Sequence, residues 1–280
     1  MGPAINALPE AFSIVKRNPI LLVGAIIFAI IFSIGTVLSL IPVLGVVIVQ
    51  VVIFPIAFIG FAEMANQAVT DDASLGDFAT GIVSNGKNGI GAYGLMFCIQ
   101  IGVGIVVAVA FAGIIGTAVL GIADAPSSSA LSSISAAAVV AVLLILAVIF
   151  LLTVLQQFLD VAVVVGDKDA TDAIREAKDI LVERPLSVVG YSLLRFSLFF
   201  GAIIVPAALA AGVGSLGNDA VGGSLMMIVS GLVLVIGPPI VAFTGAYHVA
   251  YYRDRRSDEL GPSDNQAREQ STTATGDPMR

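Results

Sequence analysis

Residues 20–40 read ILLVGAIIFAIIFSIGTVLSL and contain no charged side chain. A helix needs about 20 largely apolar residues to cross the hydrocarbon core of a bilayer, which is roughly 30 Å thick. Five further apolar stretches of similar character follow, at about 44–66, 89–120, 135–165, 186–214 and 222–252. The sequence therefore predicts an all-α fold, a bundle of six transmembrane helices.

The composition agrees with a membrane environment. Hydrophobic residues make up 58% of the 280 residues and charged residues 12%, and the mean hydropathy is +1.02. The first stretch follows Lys16 and Arg17 but is too long for a signal-peptide core, so we interpret it as a retained helix. Residues 1–255 form a single predicted membrane domain, and the polar segment 256–280 is predicted to be a disordered tail.

The basic residues lie almost entirely at one set of ends of these stretches. The intervening turns at 41–42, 124–133 and 214–219 contain no Lys or Arg. The opposite ends and the tail carry twelve of the thirteen basic residues: Lys16, Arg17, Lys87, Lys168, Arg175, Lys178, Arg184, Arg253, Arg255, Arg256, Arg268 and Arg280. The positive-inside rule then predicts a multi-pass protein of the cell membrane with both termini in the cytoplasm.

A threefold pattern divides the domain into units of about 1–66, 72–165 and 168–252. Each unit begins with an apolar stripe at helical spacing, and a spanning stretch follows directly. The stripes are Ile5, Leu8, Phe12 and Val15, then Leu75, Phe78, Ile82 and Val83, then Ala173, Ile174, Ala177 and Leu181. We predict three amphipathic helices at the cytoplasmic interface, each leading into a helix pair. Unrelated surface helices between spans are the alternative.

Local signals mark where helices begin and bend. Pro19 and Pro185 suit the first turn of a helix, because the missing N–H would be unpaired there in any case. Asp169 or Thr171 is predicted to cap the third amphipathic helix. Pro55 is expected to kink the second span and to free backbone carbonyls.

Charge and rare residues limit the function classes. The formal net charge of −7 argues against a nucleic-acid partner. With only four lysines, this acidic balance indicates a halophilic source. One cysteine, Cys98, and one histidine leave no disulfide and no conventional zinc site, and we predict neither a cofactor nor an enzymatic activity.

The motifs KRNP at Lys16–Pro19 and ERP at Glu183–Pro185, together with six spans, carry a resemblance. The chain resembles uncharacterised six-helix integral membrane proteins of halophilic archaea. These are distantly similar to the membrane domain fused to some glycerophosphodiester phosphodiesterases. The resemblance covers residues 1–255 and implies a membrane module with no catalytic residues to transfer, since this chain has no counterpart of the phosphodiesterase domain.

Arg195 is the main candidate site residue. It lies ten residues after Pro185, or about 15 Å into the bilayer at roughly 1.5 Å per residue. An ionisable group at that depth is costly, so it is a candidate for function, and Asp160 is its expected ion-pair partner. One interpretation is that this pair, or Arg195 with Gln100 or Gln50, only fixes helix register. The other is a substrate or ion site.

Glu63 and His248 occupy comparable places near the inner ends of spans two and six. We expect both to reach towards the interface, although a histidine could also relay protons. Gln156 and Gln157 are expected to bond between helices, and glycines such as Gly102 are interpreted as sites of close helix packing.

Two functions remain open at this point. The first is a non-enzymatic membrane scaffold, assembly or regulatory factor, with membrane lipids and possibly another membrane protein or a second copy as partners. The alternative is a small-solute or ion transporter or channel that uses a polar site around Arg195. A polar cavity touching Arg195 would favour transport, and a dry, fully paired Arg195 would favour a scaffold.

Overall fold

The computed structural model describes residues 3–124, 128–214 and 235–256, and these residues contain helices and no strand. The predicted all-α class is therefore confirmed. The predicted tail beyond residue 256, the turn at 215–219 and the first half of the sixth predicted span lie outside the described residues.

Ten α-helices account for most of the described chain. They are α1 (Pro3–Arg17), α2 (Ile20–Leu38), α3 (Leu44–Ile48), α4 (Phe54–Thr70), α5 (Leu75–Asp124), α6 (Ser128–Gln156), α7 (Leu159–Val164), α8 (Ala170–Glu183), α9 (Pro185–Gly214) and α10 (235–256). A π-helical turn, Val49–Ile53, joins α3 to α4.

Four helical stretches of the described part are long and apolar enough to cross a membrane. They are Ile20–Leu38, Leu44–Thr70, Leu75–Gly113 and Val139–Val164. These stretches match the first four predicted spans and indicate a membrane protein. The fifth predicted span corresponds to α9, and the end of the sixth lies in α10.

Two spans are interrupted along their length. In the second span the π-helical turn lies directly before Pro55, where the missing N–H disturbs the helical bonding pattern. The fourth span breaks between α6 and α7 although it contains no proline. There the amide of Phe158 donates to the carbonyl of Leu155, three residues back, at 3.2 Å.

The second unit differs from its predicted form. Residues Leu75–Asp124 form one continuous helix, so the predicted amphipathic helix and the span after it do not separate at Asn88–Gly89. No proline interrupts the bonding there. A Cβ at Gly89 would come within 3.0 Å of Ile59 Cγ1, so this glycine serves close packing of α5 against α4.

The predicted helix starts agree with the structure. α2 begins directly after Pro19, and Pro185 is the first residue of α9. Asp169 caps α8, because its carboxylate accepts hydrogen bonds from the amides of Thr171 and Asp172, both at 2.9 Å.

Helix α1 packs through only part of the predicted stripe. Leu8 and Val15 are half-buried against the core, whereas Ile5 is 56% and Phe12 66% exposed. The fully buried positions are Ala7, Ala11 and Ile14, which the predicted stripe did not include.

One end of the bundle collects the segments that the sequence placed on the inner side. The buried Asn18 donates to the Ala68 carbonyl at 3.0 Å and accepts from the Ala73 amide at 3.1 Å, which ties the α1–α2 junction to the α4–α5 connection. Arg255 of α10 pairs with Glu183 of α8 at 3.0 Å. Arg253 of α10 also donates to Asn66 of α4 at 3.1 Å, which joins the third predicted unit to the first two at this end.

The second half of α10 is the central element of this arrangement. Residues 246–252 are all buried, which is expected for a helix surrounded by other helices. Its tyrosines find polar partners: Tyr247 donates to the Ala4 carbonyl at 2.9 Å, and Tyr251 bonds to Ser187 at 3.2 Å. This helix carries His248 into the interior.

The expected role of Gly102 in helix packing is wrong for the described residues. A Cβ at Gly102 or Gly104 would meet nothing within 4 Å. Close approach occurs elsewhere, at Gly60 beside Phe78 and at Gly245 beside Phe61.

Candidate functional site

A cavity of about 270 Å³ lies between α2, α4, α5, α9, α10 and the broken fourth span. It is lined by Phe28, Phe32, Phe58, Phe61, Ala62, Tyr93, Thr153, Gln156, Gln157, Asp160, Arg195, Phe196, Phe200, Val241, Thr244, Gly245, His248 and Val249. Phe28, Phe32, Phe58 and Phe61 pack ring against ring and form an aromatic wall. Polar side chains of the lining come from α5, α6, α7, α9, α10 and the break between α6 and α7.

The polar wall contains a hydrogen-bonded chain of three side chains. His248 Nε2 lies 3.1 Å from Asp160 Oδ1, and its Nδ1 lies against the Tyr191 hydroxyl. All three residues are buried. An ionised carboxylate only accepts, so Nε2 carries the proton in its bond to Asp160. Nδ1 and the Tyr191 hydroxyl share a second hydrogen bond that either group can donate.

Arg195 and Asp160 line the same cavity and interact electrostatically. Within 4 Å, however, Asp160 pairs with His248, so the expected Arg195–Asp160 pair is not a direct contact. Arg195 also interacts with the Tyr191 hydroxyl. Its Nη1 atom is buried without a hydrogen-bond partner among the described residues.

Gln157 lies at the break of the fourth span and extends the polar wall to α9. Its Nε2 donates to the buried Ser192 hydroxyl at 2.5 Å, while its Oε1 is buried and has no partner in the described part of the chain. A buried acceptor without a partner costs about 1–3 kcal/mol. This wall of the cavity therefore holds both a donor and an acceptor that are not satisfied.

The aromatic wall is internally packed. The Phe28 ring lies 5.2 Å from Phe58 and 5.7 Å from Phe61, centroid to centroid. Phe58 in turn stacks on Tyr93 of α5 at 6.2 Å. Rings at these distances form a stable apolar surface rather than separate side chains.

Gln100 lies beyond the cavity and connects it to a second one. Its Nε2 donates to Gln156 Oε1 at 2.7 Å, as expected for a glutamine pair between α5 and α6. Gln100 and Thr153 also line a mainly apolar cavity of about 250 Å³ between the same helices. Thr153 is thus common to both cavities.

The other predicted candidates lie apart from the cavity. Gln50 is in the π-helical turn and is not among the lining residues. Glu63 accepts from Gln67 at 2.7 Å, close to the end of the bundle where Arg253 lies. Burial lowers the pKa of Arg253, and Glu10 and Glu63 oppose that shift.

His248 does not reach towards an interface, because it lies buried on the central helix. The described residues contain no group of three or more His, Cys, Asp and Glu side chains that could hold a metal ion. The described site thus consists of two oppositely charged residues that are not in direct contact, a histidine hydrogen-bonded on both ring nitrogens, and amide and aromatic groups.

Sequence reasoning missed Tyr191 and the aromatic wall. Tyr191 precedes Arg195 by four residues, a spacing that places both side chains on one helix face. Thr244 and His248 share the same spacing and both line the cavity. These two four-residue spacings in the sequence could have indicated that each pair of side chains lies on one helix face.

A family model described as a domain of unknown function, DUF7847, matches residues 3–255. No curated protein and no solved structure matches the chain.

Proposed function

The chain belongs to this family, DUF7847, and we propose that it binds a small amphipathic solute in the Arg195 cavity and carries it across the membrane. The observation that carries the proposal is the cavity itself. It combines a guanidinium Nη1 and an amide Oε1 that lack hydrogen-bond partners among the described residues with an aromatic wall. A side chain that only fixed helix register would be expected to have all its hydrogen bonds satisfied by protein groups.

The size of the cavity supports a small ligand. A dry apolar cavity of about 150 Å³ accommodates benzene, and sites for larger organic ligands measure roughly 300–1,000 Å³. The value of about 270 Å³ lies between these. A ligand with one aromatic ring or a short alkyl chain and a polar head fits this range.

The helix breaks support movement of the solute. Transporters commonly bind their substrates where spanning helices are discontinuous, because the interrupted backbone offers polar groups and hinge points. Here Gln157 lies at the break of the fourth span and also lines the cavity. Rotation about residues 157–158 would change the cavity wall directly.

Ligand-induced stabilisation tests the binding step. The purified full chain would be heated with a panel of aromatic carboxylates, amines and zwitterions. A ligand present at 100 times its Kd stabilises by about 2.7 kcal/mol. We expect at least one compound to stabilise the protein, with loss of the effect in Arg195→Gln and retention in the control Arg175→Gln, whose side chain is exposed on α8.

Water access and flux test the remaining steps. After Cys98→Ala, Thr244→Cys in the cavity should react with a small methanethiosulfonate reagent, while the control Val188→Cys, buried away from the cavity, should not. Proteoliposomes should then take up the stabilising compound through the wild-type protein and not through Arg195→Gln. A panel without effect, together with an unreactive Thr244→Cys, would disprove the proposal.

The scaffold function is the second candidate from the sequence and remains a prediction. Membrane lipids and a second protein or copy as partners suit either function. A scaffold requires no internal cavity, so the cavity favours solute binding. Crosslinking in native membranes that recovers a stable partner, together with no ligand effect, would favour the scaffold instead.

The proposal also includes the topology and the source. We propose six spans in three units, a single domain over residues 1–255 and both termini in the cytoplasm. The source is proposed to be halophilic. The gathering of the α1–α2, α4–α5 and α8–α9 junctions at one end of the bundle supports an even number of spans between them. The absence of enzymatic activity remains our expectation.

A further inference from the structure

We infer that the ligand head is a zwitterion, a carboxylate next to an ammonium, on an apolar and preferably aromatic body. This inference rests on the proposed function, since it specifies what the same cavity binds.

The charges of the described lining residues balance when His248 is neutral. Arg195 contributes a positive charge and Asp160 a negative charge, and His248 contributes none in the tautomer whose Nδ1 accepts from Tyr191. A ligand with a net charge would add an uncompensated charge to an interior of low dielectric constant, which is costly. A zwitterion adds dipoles and no net charge.

The unsatisfied groups require both kinds of hydrogen bond. Arg195 can only donate, so its free Nη1 needs an acceptor such as a carboxylate oxygen. Gln157 Oε1 can only accept, so it needs an N–H or O–H donor. A carboxylate and an ammonium on one ligand supply both, and movement of either side chain towards the cavity would relieve its burial cost.

The two groups come from neighbouring parts of the same cavity lining. Gln157 is fixed to Ser192 of α9 by the 2.5 Å hydrogen bond, and Ser192 precedes Arg195 by three residues. Helix positions three apart have Cβ atoms about 5–6 Å from each other. Asp160 lines the same cavity, and its negative charge favours an ammonium there.

The aromatic wall accounts for the ligand body. Phe28, Phe58 and Phe61 contribute packed rings to the lining of the same cavity. An aromatic or branched apolar body would stack or pack there, while the head remains at Arg195 and Gln157.

Three probes of one shape test the inference with the full chain in lipid nanodiscs. Phenylalanine carries both charges, 3-phenylpropionate only the carboxylate and phenethylamine only the ammonium. We expect phenylalanine to bind at least about tenfold more tightly than either of the others, since each lacks one charge-assisted hydrogen bond.

Variants assign each charge to its partner. Arg195→Gln should abolish the higher affinity for phenylalanine than for phenethylamine. Arg195→Lys keeps the positive charge in a folded bundle, so its affinity difference should lie between those of the wild type and Arg195→Gln. Gln157→Leu should reduce the affinity difference between phenylalanine and 3-phenylpropionate. The control Gln50→Leu, which lies outside the cavity, should leave that difference unchanged.

The outcomes separate this inference from the proposed function. Equal or tighter binding of 3-phenylpropionate that still depends on Arg195 would overturn the zwitterion and leave solute binding intact. The zwitterion is likewise overturned if none of the three binds while a carboxylate or an amine of the wider panel does. Binding of all three that is insensitive to Arg195→Gln would overturn both.

Discussion

Replacing Gly245 by alanine should destabilise the bundle and narrow the cavity. A Cβ at position 245 would lie 2.9 Å from Phe61 Cδ1 and 3.3 Å from Cζ, and nearer still to Cε1, whereas ordinary contact begins at 3.4 Å. The Phe61 ring would have to retreat by more than 0.5 Å. It is buried, and Phe28 packs against it at 5.7 Å, so little space is available.

Two opposing contributions determine how much Gly245→Ala changes the free energy of unfolding. Forcing a well-packed ring to move costs about 1–3 kcal/mol, while alanine gains about 1 kcal/mol over glycine within a helix. The matched control is Gly190→Ala in α9, where a Cβ meets nothing within 4 Å and only the gain applies. Gly245→Ala should therefore be less stable than Gly190→Ala by about 1–3 kcal/mol.

Unfolding of the solubilised full chain by sodium dodecyl sulfate, followed by circular dichroism, would measure this difference. Adding Phe61→Leu removes the overlapping ring, so the penalty of Gly245→Ala should shrink in the double variant. If Gly245→Ala and Gly190→Ala change stability equally, the close packing of α10 against α4 at the cavity is incorrect.

Three further substitutions test other parts of the structure. Asn18→Ala removes two long-range hydrogen bonds and should lower the free energy of unfolding by about 1–3 kcal/mol in the same titration. An unchanged free energy of unfolding would contradict the hydrogen bonding between the α1–α2 junction and the α4–α5 connection. Asp169→Ala should cost about 1 kcal/mol through loss of the cap, and Thr171→Ala, whose side chain makes no capping bond, much less. Tyr191→Phe removes the hydroxyl bonded to His248 and should shift the histidine ring resonances in nuclear magnetic resonance spectra; unchanged resonances would exclude that contact.

The helical class and the first four spans followed from the apolar stretches, because the length needed to cross a bilayer is a strong constraint. Helix starts at Pro19 and Pro185 and the Asp169 cap were also predictable, since these effects act within one turn. The continuity of α5 through Gly89 was not, because a glycine beside an asparagine resembles a helix end until its packing partner Ile59 is known.

The site was predictable only in part. Arg195, Asp160 and His248 were chosen from the cost of charge in a membrane, and the structure brings all three to one cavity. Their pairing could not be read from the sequence, because it depends on how α10 packs among its neighbours. The tyrosines around His248 resemble an interfacial belt in sequence, whereas the structure buries them on the central helix.

The length of α5 has a mechanical consequence. Its 50 residues span about 75 Å at roughly 1.5 Å per residue, more than twice the thickness of the hydrocarbon core. Tyr93, on the aromatic side of the cavity, lies about one third of the way along this rod. A tilt of only about 5° would displace one end of such a rod by roughly 6 Å relative to the other. A small reorientation of α5 that begins at Tyr93 would therefore move the distant end of the helix by several ångströms.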